Sequence, residues 1–208
     1  MSRPTLRGLY AITDSTLMAD DRRLLDSVEQ ALRGGARIVQ YRDKSDDDAK
    51  RLRQASALNE LCRRFEIPLI INDDPQLAHR SGAAGVHLGQ QDGALAETRQ
   101  LLGAEAIIGI TCHDSLALAQ HAARGGADYV AFGAFFPSRT KPDARPARLS
   151  VLDEARRQVQ LPTVAIGGIS VDNAGQIIAA GADMVAVVHA LFAADDIRAQ
   201  ARRFQQQF

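Results

Sequence analysis

The sequence predicts the α/β class and, within it, a TIM (β/α)8 barrel, on three observations. Short apolar runs rich in Ile and Val alternate with segments of helical periodicity eight times over. The 208 residues match the compact end of the length range for eight such units. Small-residue helix stops recur before every second strand, at Gly34-Gly35-Ala36, Ser81-Gly82-Ala83, Gly125-Gly126-Ala127 and Gly181-Ala182. That spacing is a faint four-fold repeat of paired units. An open flavodoxin-like sheet usually has five strands and fits less well. No linker or composition break interrupts the pattern, so residues 1–208 are read as a single domain.

In chain order, residues 9–13 form the first strand, followed by a helix over 24–32 whose apolar positions recur every three or four residues. Residues 37–42 are the second strand. A long helix over 46–65 begins at a cap supplied by Ser45 or Asp46. Residues 68–72 are the third strand, with a short helix around 76–79. The fourth strand is 85–88 and its helix 95–102; the fifth is 106–111, and Ser115 caps the helix that runs to Arg124. The sixth strand, 129–132, leads into a longer connection over 133–149 with three prolines and four basic side chains. A helix over 151–159, a strand over 163–166, a helix over 172–180, a strand over 184–188 and a last helix over 195–204 complete the chain.

Composition narrows the partners. Hydrophobic residues make up 46%, enough for a real core. The 25 basic and 25 acidic residues cancel, which removes any whole-molecule attraction to nucleic acid or an anionic membrane. No apolar run approaches the ~20 residues of a membrane span, and the first residues lack the apolar core of a signal peptide. Cys62 and Cys112 form no metal or redox spacing. They are expected to be reduced and buried, in a cytoplasmic protein.

Function in a barrel sits at the carboxyl ends of the strands. The second strand ends in Gln40-Tyr41-Arg42-Asp43-Lys44, and alternation puts Gln40, Arg42 and Lys44 on the same face as Ile38. Cations at a covered strand end call for an anion; the alternative is that the strand has ended and all three are solvated. The other strand ends supply Asn72 and Asp73, Asp92 beyond Gln90, Thr111 and His113, the run Ser138-Arg139-Thr140-Lys141, Gly167-Gly168, and His189. Asp73 and Asp92 lie on neighbouring strands, where two carboxylates suit one Mg2+ that keeps its other positions for water and phosphate. Each also has a plain reading, Asp73 as a helix cap and Asp92 as a turn residue. Gly168 before Ile169-Ser170 places a glycine at a helix start, where barrels commonly bind phosphate.

Taken together and in order, Gln40 to Lys44, Asn72-Asp73, Gly85 to Gln90 with Asp92, Phe136 to Lys141, and Val164 to Ile169 resemble the thiamine-phosphate synthases, over nearly the whole chain. The resemblance implies a transferase that joins a hydroxymethylpyrimidine pyrophosphate to a thiazole phosphate with loss of pyrophosphate. Gln40, Tyr41, Arg42, Asp43, Lys44, Asn72, Thr111 and Lys141 would bind the pyrimidine pyrophosphate. Asp73 and Asp92 would hold Mg2+, and Ser138, Arg139, Thr140, Gly168, Val188 and His189 would bind the thiazole phosphate. Arg42, Lys141 and Thr111 would act on the reacting groups, by a dissociative route in which pyrophosphate departs first. No general base is needed, so His113 is given no such role.

The chain departs from the family pattern at His189, where serine is commoner, and at Ala144 to Arg148, where the loop lacks a glycine. Two rival readings remain. A thiazole tautomerase-like barrel would keep the glycine phosphate site but have no use for Arg42, Asp73 and Asp92 together. A non-catalytic phosphate-binding barrel would show neither turnover nor metal dependence. A homodimer is left open.

Overall fold

A computed structural model describes residues 5–18, 20–137 and 146–208. Eight parallel strands close on themselves in chain order: β1 (Gly8–Ile12), β2 (Ile38–Tyr41), β3 (Leu69–Asn72), β4 (Gly85–Leu88), β5 (Ile107–His113), β6 (Tyr129–Gly133), β7 (Thr163–Ile166) and β8 (Met184–Val187). Pairing of Gly8 with Met184 and Leu9 with Val185 seals β1 against β8. The helices between them are α1 (Asp21–Arg33), α2 (Asp48–Arg64), α3 (Pro75–Ser81), α4 (Leu95–Leu102), α5 (Leu116–Arg124), α6 (Ser150–Gln158) and α7 (Val171–Ala179), with α8 (His189–Phe192) and α9 (Ile197–Gln205) after the last strand. The predicted TIM (β/α)8 barrel is therefore the fold.

The alternation of strand side chains divides the core in two. Leu9, Ala11, Val39, Val86 and Ile108 face outward to the helices. Tyr10, Ile12, Ile38, Ile70, Tyr129 and Val164 face into the barrel. Fully buried aliphatics such as Ile38 and Ile70 each contribute about 1.5–3 kcal/mol relative to exposure.

Helix starts differ from expectation where several acidic residues stand together. α2 begins at Asp48 because Asp47 is the cap, its carboxylate accepting from Lys50 N–H at 2.9 Å, in place of Ser45 or Asp46. α9 likewise begins after Asp196, which accepts from Ala199 N–H at 2.8 Å. β5 runs two residues further than predicted, to His113, through a register shift against β6. The one-turn helix α8 was not expected; four residues are too few to show a period.

Candidate active site

The carboxyl ends of β2, β3 and β4 bring the acidic and basic groups together. Asp73 follows β3 with φ at 62°, and its N–H donates to the His87 carbonyl at 2.8 Å. This turn frees Asp73 from capping: Asp74 caps α3 instead, accepting from Leu77 N–H at 2.9 Å while Arg51 donates to its other oxygen at 2.8 Å. Asn72 donates to Asp73 at 2.6 Å, and Lys44 forms an ion pair with the same carboxylate. Asp92 accepts from Gly89 N–H at 2.7 Å.

The two carboxyls meet each other. Burial pushes Asp92 above the usual carboxylate range, and the adjacent Asp73 adds to the rise. Burial also works on Asp73, but Lys44, the contact with Asp92, and Asn72 outweigh it and hold Asp73 low. Two acids crowded in this way, beside cations, favour an added positive charge.

Strand alternation decides the fate of the Gln40-to-Lys44 run. Gln40 lies inside the barrel, only 3% exposed, and donates to the Tyr10 hydroxyl at 2.8 Å. The Arg42 backbone N–H donates to Thr13 Oγ1 at 2.9 Å. No carboxylate bonds its guanidinium among the described residues, although Asp14 feels its charge. Tyr41 and Asp43 are turned the other way. Tyr41 donates to Gln54 on α2 at 2.7 Å, and Asp43 accepts from Lys50 Nζ and Ser45 N–H, each at 2.8 Å. Burial raises Asp43, yet Lys50 and Ser45 outweigh it and leave its carboxyl below the usual range. The structure thus gathers Gln40, Lys44, Asn72, Asp73 and Asp92 at neighbouring strand ends, while the side chains of Tyr41 and Asp43 brace β2 against α2.

On the far side, β7 and β8 pair through Ile166 and Ala186, with Gly168 two residues beyond the one and Val188 and His189 just beyond the other. Gly168 has φ at 61°, and a Cβ there would lie 2.3 Å from the Pro137 carbonyl oxygen. Its own carbonyl accepts from Asn173, whose Oδ1 takes the Ser170 N–H at 2.8 Å and so closes the first turn of α7. Val188 precedes α8 and His189 opens it. Thr111 sits on β5, its hydroxyl bonded to His87 Nε2 at 2.8 Å. Ser138, Arg139, Thr140 and Lys141 lie outside the described residues.

Sequence reasoning gave His87, Tyr129 and Tyr10 no role, yet they run through the barrel between Gln40 and Thr111. The available signal was a histidine and two tyrosines at inward-facing strand positions, where aliphatic residues are the rule.

A closed parallel barrel with its polar groups gathered at the strand ends defines a barrel enzyme acting on small molecules. The family model described as thiamine monophosphate synthase matches residues 9–191. A thiamine-phosphate synthase of Marinobacter nauticus is 59% identical over 203 residues, covering 97% of this chain and 90% of its relative. The solved thiamine phosphate pyrophosphorylase from Pyrococcus furiosus superposes with a TM-score of 0.87 at 32% identity, over 97% of this chain and 95% of that one. A geranylgeranylglyceryl phosphate synthase from Thermoplasma acidophilum shares the fold alone, at 13% identity and a TM-score of 0.71 over 99% of this chain and 98% of that one. The chain belongs to the thiamine monophosphate synthase family. It is a transferase that makes thiamine phosphate.

Proposed function

We propose that the substrates meet at the mouth formed by β2, β3, β4 and β5, and that the reaction is a dissociative substitution at the pyrimidine methylene. The observation that carries this reading is the contact of Asp73 with Asp92, flanked by Lys44 and Asn72. In the proposed reaction the C–O bond to the pyrophosphate breaks, and the bonding pair leaves with the pyrophosphate. The aminopyrimidine ring spreads the positive charge left on its methylene. The thiazole nitrogen then donates its lone pair to form the C–N bond. No proton moves, so no general base is required.

Asp73 and Asp92 would hold Mg2+. Two carboxylates at neighbouring strand ends suit this ion, which takes its remaining positions from water and phosphate oxygens. When bound, Mg2+ supplies positive charge beside the departing pyrophosphate. Arg42 and Lys44 add theirs, and Lys141 is assigned the same task. Gln40, Asn72 and Thr111 orient the pyrimidine. Gly168, Val188 and His189, with Ser138, Arg139 and Thr140, receive the thiazole phosphate, Gly168 at the N-terminus of α7. Tyr41 and Asp43 support the site through the shape of β2 rather than by side-chain contact.

We read residues 1–208 as one domain in the cytoplasm. The buried thiols of Cys62 and Cys112, each pushed up to about 12 by burial, suit a reducing compartment. The groups around Asp73 and Asp92 come from a single chain, so the reading does not require a homodimer.

The test is to mix the purified protein with both substrates and Mg2+. Thiamine phosphate and pyrophosphate should appear in equal amounts; absence of thiamine phosphate would overturn the reading. Within that assay, Arg42→Lys should lower kcat by on the order of 10²-fold, because lysine keeps the charge but not the two-pronged grip on phosphate oxygens. Unchanged kinetics would place the Arg42 side chain in solvent.

A further inference from the structure

A continuous hydrogen-bond chain crosses the barrel interior beneath the mouth. Gln40 Nε2 lies 2.8 Å from the Tyr10 hydroxyl, which lies 2.8 Å from the Tyr129 hydroxyl. The Tyr129 hydroxyl lies 2.9 Å from His87 Nδ1, and His87 Nε2 lies 2.8 Å from Thr111 Oγ1. We propose that Tyr10, Tyr129 and His87 are positioning residues for the reaction: their chain runs in one direction, fixes His87 as its Nε2–H tautomer, and commits the Thr111 hydroxyl to donate to an acceptor atom of the pyrimidine pyrophosphate. This rests on the placement of that substrate proposed above.

With the Gln40 amide nitrogen facing Tyr10 and His87 neutral, proton counting gives the direction. Each tyrosine hydroxyl has one proton, and a neutral imidazole has one N–H. Gln40 donates to Tyr10, so Tyr10 spends its proton on Tyr129, and Tyr129 spends its own on His87 Nδ1. The imidazole proton is then on Nε2 and goes to Thr111 Oγ1. Four links use four protons. Were His87 protonated on Nδ1 instead, Tyr129 would turn to Tyr10, and the Tyr10 proton would be left among apolar side chains. Tyr10 and Tyr129 are essentially unexposed, and a stranded buried donor is costly. Burial also holds both phenols well above their ordinary values, so the hydroxyls keep their protons. Thr111, having accepted from His87, retains its one hydroxyl proton. Gln40 retains its carbonyl oxygen and one N–H.

Strand register builds the chain. His87 on β4, Gly109 on β5 and Tyr129 on β6 are aligned neighbours. Gly109 has no side chain, so the two rings stack across it, 5.5 Å apart and 19° from parallel. A Cβ on Gly109 would lie 1.9 Å from the Tyr129 ring. Tyr10 meets Tyr129 edge-on at 6.0 Å.

The reverse chain is also internally consistent: if the Gln40 carbonyl faced Tyr10, every bond would invert, His87 would be protonated on Nδ1, and Thr111 would offer only lone pairs. Nitrogen-15 NMR of the labelled, substrate-free protein separates the two. His87 is assigned by its loss in His87→Gln. The expected result is the neutral Nε2–H tautomer; an Nδ1–H tautomer overturns the proposal. Tyr129→Phe, which removes the donor to Nδ1, should admit the other tautomer, and an unchanged spectrum counts against the relay.

Kinetics supply the second arm. Glutamine places its amide where Nε2 lies and still donates to Thr111, whereas asparagine reaches only the Nδ1 position. The KM for the pyrimidine pyrophosphate should therefore be about tenfold higher in His87→Asn than in His87→Gln, the worth of one hydrogen bond. The KM for the thiazole phosphate should be alike in the two. Equal pyrimidine KM values, or a parallel change for both substrates, would make His87 a packing residue only. Failure of the parent to form thiamine phosphate would overturn the proposed function, while the tautomer measurement needs no turnover.

Discussion

Replacing Asp92 with Asn is expected to lower kcat by on the order of 10²-fold, and Asp73→Asn by at least as much. Asparagine keeps the size of the side chain and its carbonyl can still accept from Gly89 N–H. What it loses is the charge that would hold Mg2+. The fold should survive, because neither residue caps a helix; Asp74 performs that task at α3. Asp73→Asn also releases Lys44 from its ion pair and weakens the bond from Asn72. Its effect should therefore include a higher KM for the pyrimidine pyrophosphate, beyond the altered magnesium requirement common to both. Steady-state kinetics across a magnesium titration checks this. If both variants keep the parent's kcat and magnesium requirement, the carboxylate pair is not the metal site.

Gly168→Ala is expected to cost both stability and binding. The backbone there has φ at 61°, a region that costs an L-residue roughly 1–2 kcal/mol. The new methyl would also lie 2.3 Å from the Pro137 carbonyl oxygen and 2.7 Å from Phe136 Cβ, and such overpacking typically adds about 1–3 kcal/mol. For a chain of this size, each kcal/mol shifts Tm by about 2–4 °C, so a fall of roughly 4–20 °C is expected. Movement of the β7 turn should at the same time raise the KM for the thiazole phosphate more than that for the pyrimidine pyrophosphate. A Tm within about 1 °C of the parent would show that the turn yields at no cost. Equal changes in the two KM values would separate Gly168 from the thiazole phosphate site.

The fold was legible because periodicity and glycine placement act locally. The bounds of β4, α4 and β7 fall where hydrophobic spacing puts them, and the predicted small-residue stops follow α1, α3, α5 and α7. Errors came where adjacent residues compete for one role. Ser45, Asp46 and Asp47 can each cap a helix, and only the path of the chain after β2 selects Asp47. Asp73 and Asp74 posed the same choice; the left-handed turn at Asp73 settles it and leaves that carboxylate for the site. Tyr41 and Asp43 belong to the motif yet face α2, as strand alternation requires once Gln40 faces inward. The chain from Gln40 to Thr111 was legible only as separate polar residues at inward-facing strand positions, not as a chain. It joins side chains from five strands, and they become neighbours only when the sheet closes.

The proposed hold of Asp73 and Asp92 on a divalent cation against the pyrophosphate is open to direct measurement. It is tested most directly by replacing Mg2+ with paramagnetic Mn2+ and measuring water-proton relaxation with protein and pyrophosphate present. The parent should show a large enhancement that depends on pyrophosphate, because the ion is then carried on a slowly tumbling macromolecule. The protein carrying both Asp73→Asn and Asp92→Asn should show only the relaxation of Mn2+ and pyrophosphate free in solution. An enhancement as large in that double variant as in the parent would contradict the account.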